Sequence, residues 1–173
     1  MAVLLNQTSN LRLRLELSRR LSDGVERPAS LELAAAMERY KRIASVEHGE
    51  HRYVPLVAFA GRALLDMDLI TFLEGVEALL NGQGAMASLE PSTEPSIGLR
   101  LSGGPEAFLV EAGIDLIALL EPVGGVTSDP GSDLSLFRFA ANKRAVAAFA
   151  AQLVQEFARF PTDPSQVKPG QAE

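Results

Sequence analysis

The sequence predicts an α+β fold in which a mostly antiparallel sheet of about six to seven strands packs against two to three helices. Three observations favour this class. Residues 11–17 alternate between leucine and charged residues, which is typical of a strand with one solvent-exposed face. Residues 68–80 and 142–157 carry apolar residues at helical spacing. Between those helices the apolar segments are short and separated by Gly and Pro, which indicates a β-meander.

The composition is that of a globular protein. The chain has 173 residues, of which 47% are hydrophobic and 22% charged. We expect one domain over residues 1–161 and a disordered tail over residues 162–173, because the tail is polar and contains Pro and Gly. The chain has no Cys, which excludes disulfides, thiol nucleophiles and thiolate metal sites.

Charge and hydropathy exclude several classes of partner. The net charge of −6 argues against nucleic acid, because phosphate binding depends on clustered Lys and Arg. No apolar run reaches the roughly 18 residues of a membrane span. The N-terminal apolar run lacks the basic start of a secretory signal, so the sequence predicts a cytoplasmic protein. It indicates no cofactor.

The first third of the chain begins with the strand at residues 11–17. Arg12 and Arg14 on that strand could form a site for an anionic ligand, but charged residues that alternate with Leu are usually the solvent face. Residues 30–46 are predicted to form a helix, because Ala, Glu and Met are strong helix formers. The competing interpretation is a strand, because residues 31, 33, 35 and 37 also alternate.

The centre of the chain is predicted to be a strand followed by a helix. Residues 53–60 are rich in β-formers, Pro55 indicates an edge position, and Gly61 is expected to end or bend the strand. Asp68 is a candidate N-cap for the helix, and Asn81-Gly82 is a typical helix stop. Its apolar stripe is Leu69, Phe72, Leu73, Val76 and Leu80.

The last third is predicted to be a meander and a final helix. Strands are expected at residues 85–89, 96–102, 107–111, 114–121 and 134–140, with Gly113 separating the third from the fourth. Asn142 is the candidate N-cap of the final helix, and Pro161 is expected to stop it. The Gly- and Pro-rich stretch at residues 124–131 is predicted to be a surface loop.

Two groups of residues could carry chemistry. His48 and His51 lie three residues apart around a glycine, beside two carboxylates, which resembles a metal site but is more typical of a polar loop. Asp66 and Asp68 could form a carboxylate pair for acid–base catalysis. Their position beside a helix start is better explained by capping and by the helix dipole.

The unit formed by residues 68–101 resembles the WapI-type immunity proteins, small bacterial domains that neutralise cognate toxins. The matching features are Asp68-Leu69 at the helix start, Leu-Leu-Asn-Gly at its end, and the turn Thr93-Glu94-Pro95 before an apolar strand. The resemblance extends over residues 53–161. The family tends to carry a Trp-containing strand near its start, and this chain has no Trp.

The resemblance implies a non-catalytic bacterial protein that occludes a toxin. The acidic balance suits a basic toxin, and the candidate contact residues are Glu74, Glu77, Asp129 and Asp133. One alternative is a small enzyme that uses Asp66, Asp68 and the His48/His51 loop. Another is a scaffold or oligomerisation domain, for which an apolar patch at a sheet edge would be the sign.

Overall fold

The computed structural model describes residues 1–21, 30–43, 50–91, 97–104, 106–115 and 134–160. Within these ranges the chain forms strands and helices in the order β1 (Ala2–Leu5), β2 (Leu11–Leu21), β3 (Ser30–Ile43), β4 (Glu50–Leu65), α1 (Asp66–Leu80), β5 (Met86–Leu89), β6 (Ile97–Gly103), β7 (Ala107–Asp115), β8 (Leu134–Asn142) and α2 (Lys143–Ala158). The predicted α+β class is confirmed.

The strands of the described ranges form two antiparallel sheets of four strands, rather than one sheet of six or seven. The first sheet has the order β1-β2-β3-β4 and the second the order β5-β6-β7-β8, so sheet neighbours are also neighbours in the sequence. Helix α1 connects the two sheets. Within each sheet, strands that are consecutive in the sequence pair with each other, which is typical of antiparallel sheets.

Strand β2 has the two faces that its alternating sequence predicts. Leu13, Leu15 and Leu17 are buried, whereas Arg12 and Arg14 lie on the opposite face. Both arginines pair with Glu38 of β3, Arg14 at 3.5 Å, and the Glu38 side chain is only 8% exposed. The two cations are therefore part of an ion-pair network on the sheet surface, which explains them without an anionic ligand.

Strand β3 corrects the predicted helix over residues 30–46. Leu31, Leu33, Ala35 and Met37 are buried at every second position, as in the competing strand interpretation. β3 pairs with β2 on one side and with β4 on the other, so its backbone groups are satisfied by two ladders. Pairing on both sides outweighs the helix propensity of Ala, Glu and Met. Residues 44–46 lie outside the described residues.

Among the described strands, β4 lies at the edge of its sheet, as Pro55 predicts. Its register with β3 shifts beside Pro55, because Met37 pairs with Val57 and Glu38 pairs with Pro55, which leaves Leu56 as a bulge. Gly61 was predicted to end or bend the strand, and the first of these alternatives is wrong, since Gly61 pairs with Leu33 and the strand continues to Leu65.

Helix α1 begins three residues earlier than predicted. Its N-cap is Leu65, and Asp68 lies in the first turn, where its carboxylate accepts a hydrogen bond from the Leu65 N–H at 3.0 Å. Asp68 therefore serves the helix start, but from the third position of the helix. The predicted stop is confirmed, because Asn81 is the C-cap and Gly82 has a φ of 72°.

The second sheet also differs from its predicted segmentation. Residues 107–115 form one strand, and Gly113 lies inside it, opposite Gly98 of β6 and Leu136 of β8. A glycine weakens a strand, but Gly113 has a partner on each side, so both ladders continue through it. Residues 92–96, which include the predicted turn, and residues 116–133, which include the predicted loop, lie outside the described residues.

Helix α2 begins as predicted, because the Asn142 side chain accepts a hydrogen bond from the Ala145 N–H at 2.9 Å. Val146, Phe149 and Leu153 are buried, and the helix ends at Ala158. These residues belong to one hydrophobic cluster with the buried faces of both sheets and of α1. Pro161 and the predicted tail over residues 162–173 lie outside the described ranges.

The end of α2 carries a buried carboxylate, Glu156, whose side chain is 7% exposed. Glu156 pairs with the terminal ammonium of Met1 and, at 2.8 Å, with Arg159. Burial acts to raise the pKa of Glu156, but hydrogen bonds from these two cations outweigh it and hold the pKa below its ordinary value of 4.5. The ion pairs join β1 to the helix that covers it.

The Glu38 network gives a first test of these interactions. We expect Glu38→Gln to lower the free energy of unfolding by about 1–3 kcal/mol, because Arg12 and Arg14 lose a charged acceptor. Glu16→Gln is the control on the same face: its side chain is 46% exposed and lies 3.6 Å from Arg14. It should change stability by less than about 0.5 kcal/mol in urea denaturation. Equal effects of the two substitutions would contradict the assignment.

Glu156 predicts a pH dependence. Its carboxyl has a lowered pKa in the folded state, so the unfolded state binds its proton first as the pH falls. The stabilisation is present above the unfolded pKa of 4.5 and is lost as the pH drops through the lower folded value. We expect Glu156→Gln to flatten this acid limb in urea denaturation measured across that range.

The matched control is Glu90→Gln. A hydrogen bond from Ser88, opposed by burial and aided by Arg100, lowers the pKa of Glu90 too, but the Glu90 side chain is 68% exposed. Solvent screening makes its contribution small. An acid limb that is equally steep in wild type and in Glu156→Gln would refute the role assigned to Glu156.

Candidate functional site

Helix α1 has a buried side and a side that carries carboxylates. Leu69, Phe72 and Val76 are buried in the core. Glu74 and Glu77 are exposed and lie three residues apart, which places them on neighbouring turns of one face. The prediction that they lie off the apolar stripe is confirmed, and α1 therefore presents two adjacent negative charges.

Helix α2 exposes a face without charge. Ala151 is exposed and Val154 is 50% exposed, although helix surfaces normally carry charged side chains. The sequence has no charged residue between Arg144 and Glu156. Since Glu156 is buried, the middle of α2 offers solvent only small, apolar or amide side chains.

These two surfaces meet in an open groove between the helices, with a volume of about 400 Å³. We call it the helix groove. Leu73 and Leu80 of α1 and Ala150, Ala151 and Val154 of α2 give it an apolar lining, and Glu74 and Glu77 border it. Of the described residues that line it, only those two carboxylates and Asn81, the C-cap of α1, are polar.

The helix groove has the chemistry of a protein-binding surface. Its apolar residues can cover one side of a helix or an extended segment, and its carboxylates can pair with Lys or Arg of that segment. A general acid and base would have to act on a substrate held between them. Here the polar groups lie together along one helix, and the opposite wall is alkyl.

The structure describes two of the four predicted contact residues. Glu74 and Glu77 come together at the groove, whereas Asp129 and Asp133 lie outside the described residues. The α2 side of the groove was not predicted. The uncharged stretch from Ala145 to Gln155 is the signal that could have identified it, because an exposed helix face without charges is unusual.

The residues considered for catalysis do not form a described site. Asp68 is engaged at the start of α1, and Asp66 lies in the same turn and is partly buried. His51 lies in β4, not in a loop, while its side chain and His48 are outside the described part. Among the side chains that the structure describes, no cluster of three or more His, Asp or Glu could hold a metal ion.

Comparison with known proteins does not establish a family. No protein-family model and no curated protein matches the chain, so the resemblance to WapI-type immunity proteins is not confirmed. No helix in the described ranges is long and apolar enough to cross a membrane. Among solved structures, the chain is similar to one in the CdiA-CT/CdiI toxin and immunity complex from Enterobacter cloacae, with a TM-score of 0.37 and 12% identity over 83% of this chain and 99% of that chain. A TM-score of this size does not establish a common fold.

Proposed function

We propose that this protein is a non-catalytic binding protein that neutralises a toxin by occluding it, as an immunity protein does. The observation that supports this proposal most is the helix groove. It combines an apolar lining from two helices with two exposed carboxylates on one border. Protein interfaces combine an apolar centre with a polar rim in the same way.

The apolar part of the groove would supply most of the affinity. Val154 is 50% exposed, and Leu73 and Leu80 are partly buried, so a partner could remove much of their remaining surface from water. Each Å² of apolar surface removed contributes about 25 cal/mol, before the cost of ordering the partner is subtracted. A segment with two or three apolar side chains on one face would fit this surface.

The carboxylates would select a basic partner. Glu74 and Glu77 contribute to the net charge of −6, which would attract a partner rich in Lys or Arg over a distance. Their place at the border of the groove would orient that partner there. A toxin that acts on nucleic acid has this character, because it must bind phosphates. The sequence resemblance to WapI-type immunity proteins supports the same interpretation, and the proposed place of action is the cytoplasm.

The groove is tested by charge reversal. We expect Glu74→Lys/Glu77→Lys to abolish protection when the protein is co-expressed with the toxin encoded beside it. Binding should weaken at least about tenfold, which corresponds to 1.4 kcal/mol. Val154→Asp should have a similar effect, because it places a charge in the apolar lining. Protection and the dissociation constant are both measured.

The matched control is Glu16→Lys/Glu106→Lys, which changes the net charge by the same amount at sites away from the groove. Circular dichroism should show both double variants folded, because Glu74, Glu77 and Glu106 are exposed and the Glu16 side chain is 46% exposed. Loss of protection in both would assign the effect to overall charge and reject the groove. Full protection by the groove variant and by Val154→Asp would reject the proposal itself.

A further inference from the structure

The outer face of the second sheet carries three rows of side chains that cross its strands. The register places an apolar row, a charged row and a glycine row side by side. The apolar row is Met86, Ser102, Leu109 and Ala140; the charged row is Ser88, Arg100, Glu111 and Arg138; the glycine row is Gly98, Gly113 and Leu136. The opposite face of the sheet lies in the core.

The glycine row forms a recess. Gly98 and Gly113 are direct partners, so two adjacent strands have no side chain at this point and form a floor of backbone, in which Gly98 is partly exposed and Gly113 is buried. A Cβ placed on Gly98 would meet no atom within 4 Å. The space is about 400 Å³, and Leu136, which is 48% exposed, lines it beside the glycines.

Charged side chains border the recess, and they form ion pairs with one another. Arg100 lies 3.4 Å from Glu90, and Arg138 lies 2.7 Å from Glu111. A charged ligand would have to displace one of these partners, so the recess favours an uncharged ligand. The two guanidinium groups still favour the face of an aromatic ring over an aliphatic side chain, because the ring carries a negative quadrupole.

We propose that this recess binds an uncharged aromatic side chain of a partner protein. The open space above Gly98 leaves room for a planar ring, and Leu136 and the two arginines supply an apolar contact and cations beside it. Aromatic side chains cover strand glycines within sheets in the same manner. A protein is favoured over a small molecule because Met86 and Leu109, 52% and 44% exposed, form a second apolar surface across the charged row from the recess, which a larger partner could cover at the same time.

This inference does not rest on the proposed function, because the recess and the helix groove share no lining residue. The experiment is an NMR titration of the full chain with N-acetyltryptophanamide, an uncharged form of the Trp side chain. N-acetylleucinamide is the aliphatic comparison. The readout is the amide shift of Gly98 and Gly113, which a ring stacked on the floor must change.

We expect saturable shifts with the tryptophan probe and at least about threefold weaker binding of the leucine probe. Gly98→Val should abolish the shifts at Gly113, because its side chain fills open space above the floor without a clash. It should leave the urea midpoint unchanged or raise it, since Val favours a strand more than Gly does. Gly104→Val is the control, because a Cβ there is also free of contacts but lies outside the recess.

The variant Arg100→Met tests whether the preference for an aromatic ring depends on the cation or only on the shape of the recess. It keeps an unbranched side chain and removes the cation, so binding of the tryptophan probe should weaken about two- to fivefold. Absence of shifts at Gly98 and Gly113, equal binding of both probes, or binding that survives Gly98→Val would each overturn the proposal. Loss of toxin protection in the groove variants has no bearing on these outcomes.

Discussion

The structure depends on the burial of one face of each helix against both sheets. Helix α1 contacts β4 of the first sheet and β5 of the second, and α2 contacts β1 and β2 of the first and β7 and β8 of the second. Phe72 and Phe149 are completely buried in the shared cluster. A four-stranded sheet with one apolar face needs such a cover. The helices therefore set the positions of the sheets and, with their outer sides, the surface available to partners.

The elements that the sequence predicted correctly are those whose signal is local. The alternation at Leu11–Leu17 and the stripes of the two helices report directly which face is buried. The prediction for β3 was wrong because the composition of this segment favours a helix. Its conformation is decided instead by pairing with two partner strands, β2 and β4. Gly113 was misread for the same reason: its neighbours Gly98 and Leu136 continue the ladders through it. The division into two sheets is likewise a long-range property.

The sequence analysis identified residues on the α1 side of the helix groove but not on its α2 side. Glu74 and Glu77 were found because the helical period places them off the buried stripe of α1. The sequence analysis did not identify Val154 and its neighbours as site residues, because no local sequence pattern indicates that α2 lies beside α1. The carboxylates at Asp66 and Asp68 show the reverse case, in which a pair that resembles an acid–base site lies at a helix start. Residue types alone do not separate a folding role from a chemical one.

The proline and bulge of β4 have a consequence for self-association. β4 spans 16 residues, and among the described strands only β3 pairs with it, so its other edge could act as a template for a second chain. Pro55 supplies no N–H, and the bulge at Leu56 disturbs the spacing of the groups that follow. A strand added at this edge would lose its ladder near the middle of β4. Such an interruption works against edge-to-edge pairing of two chains.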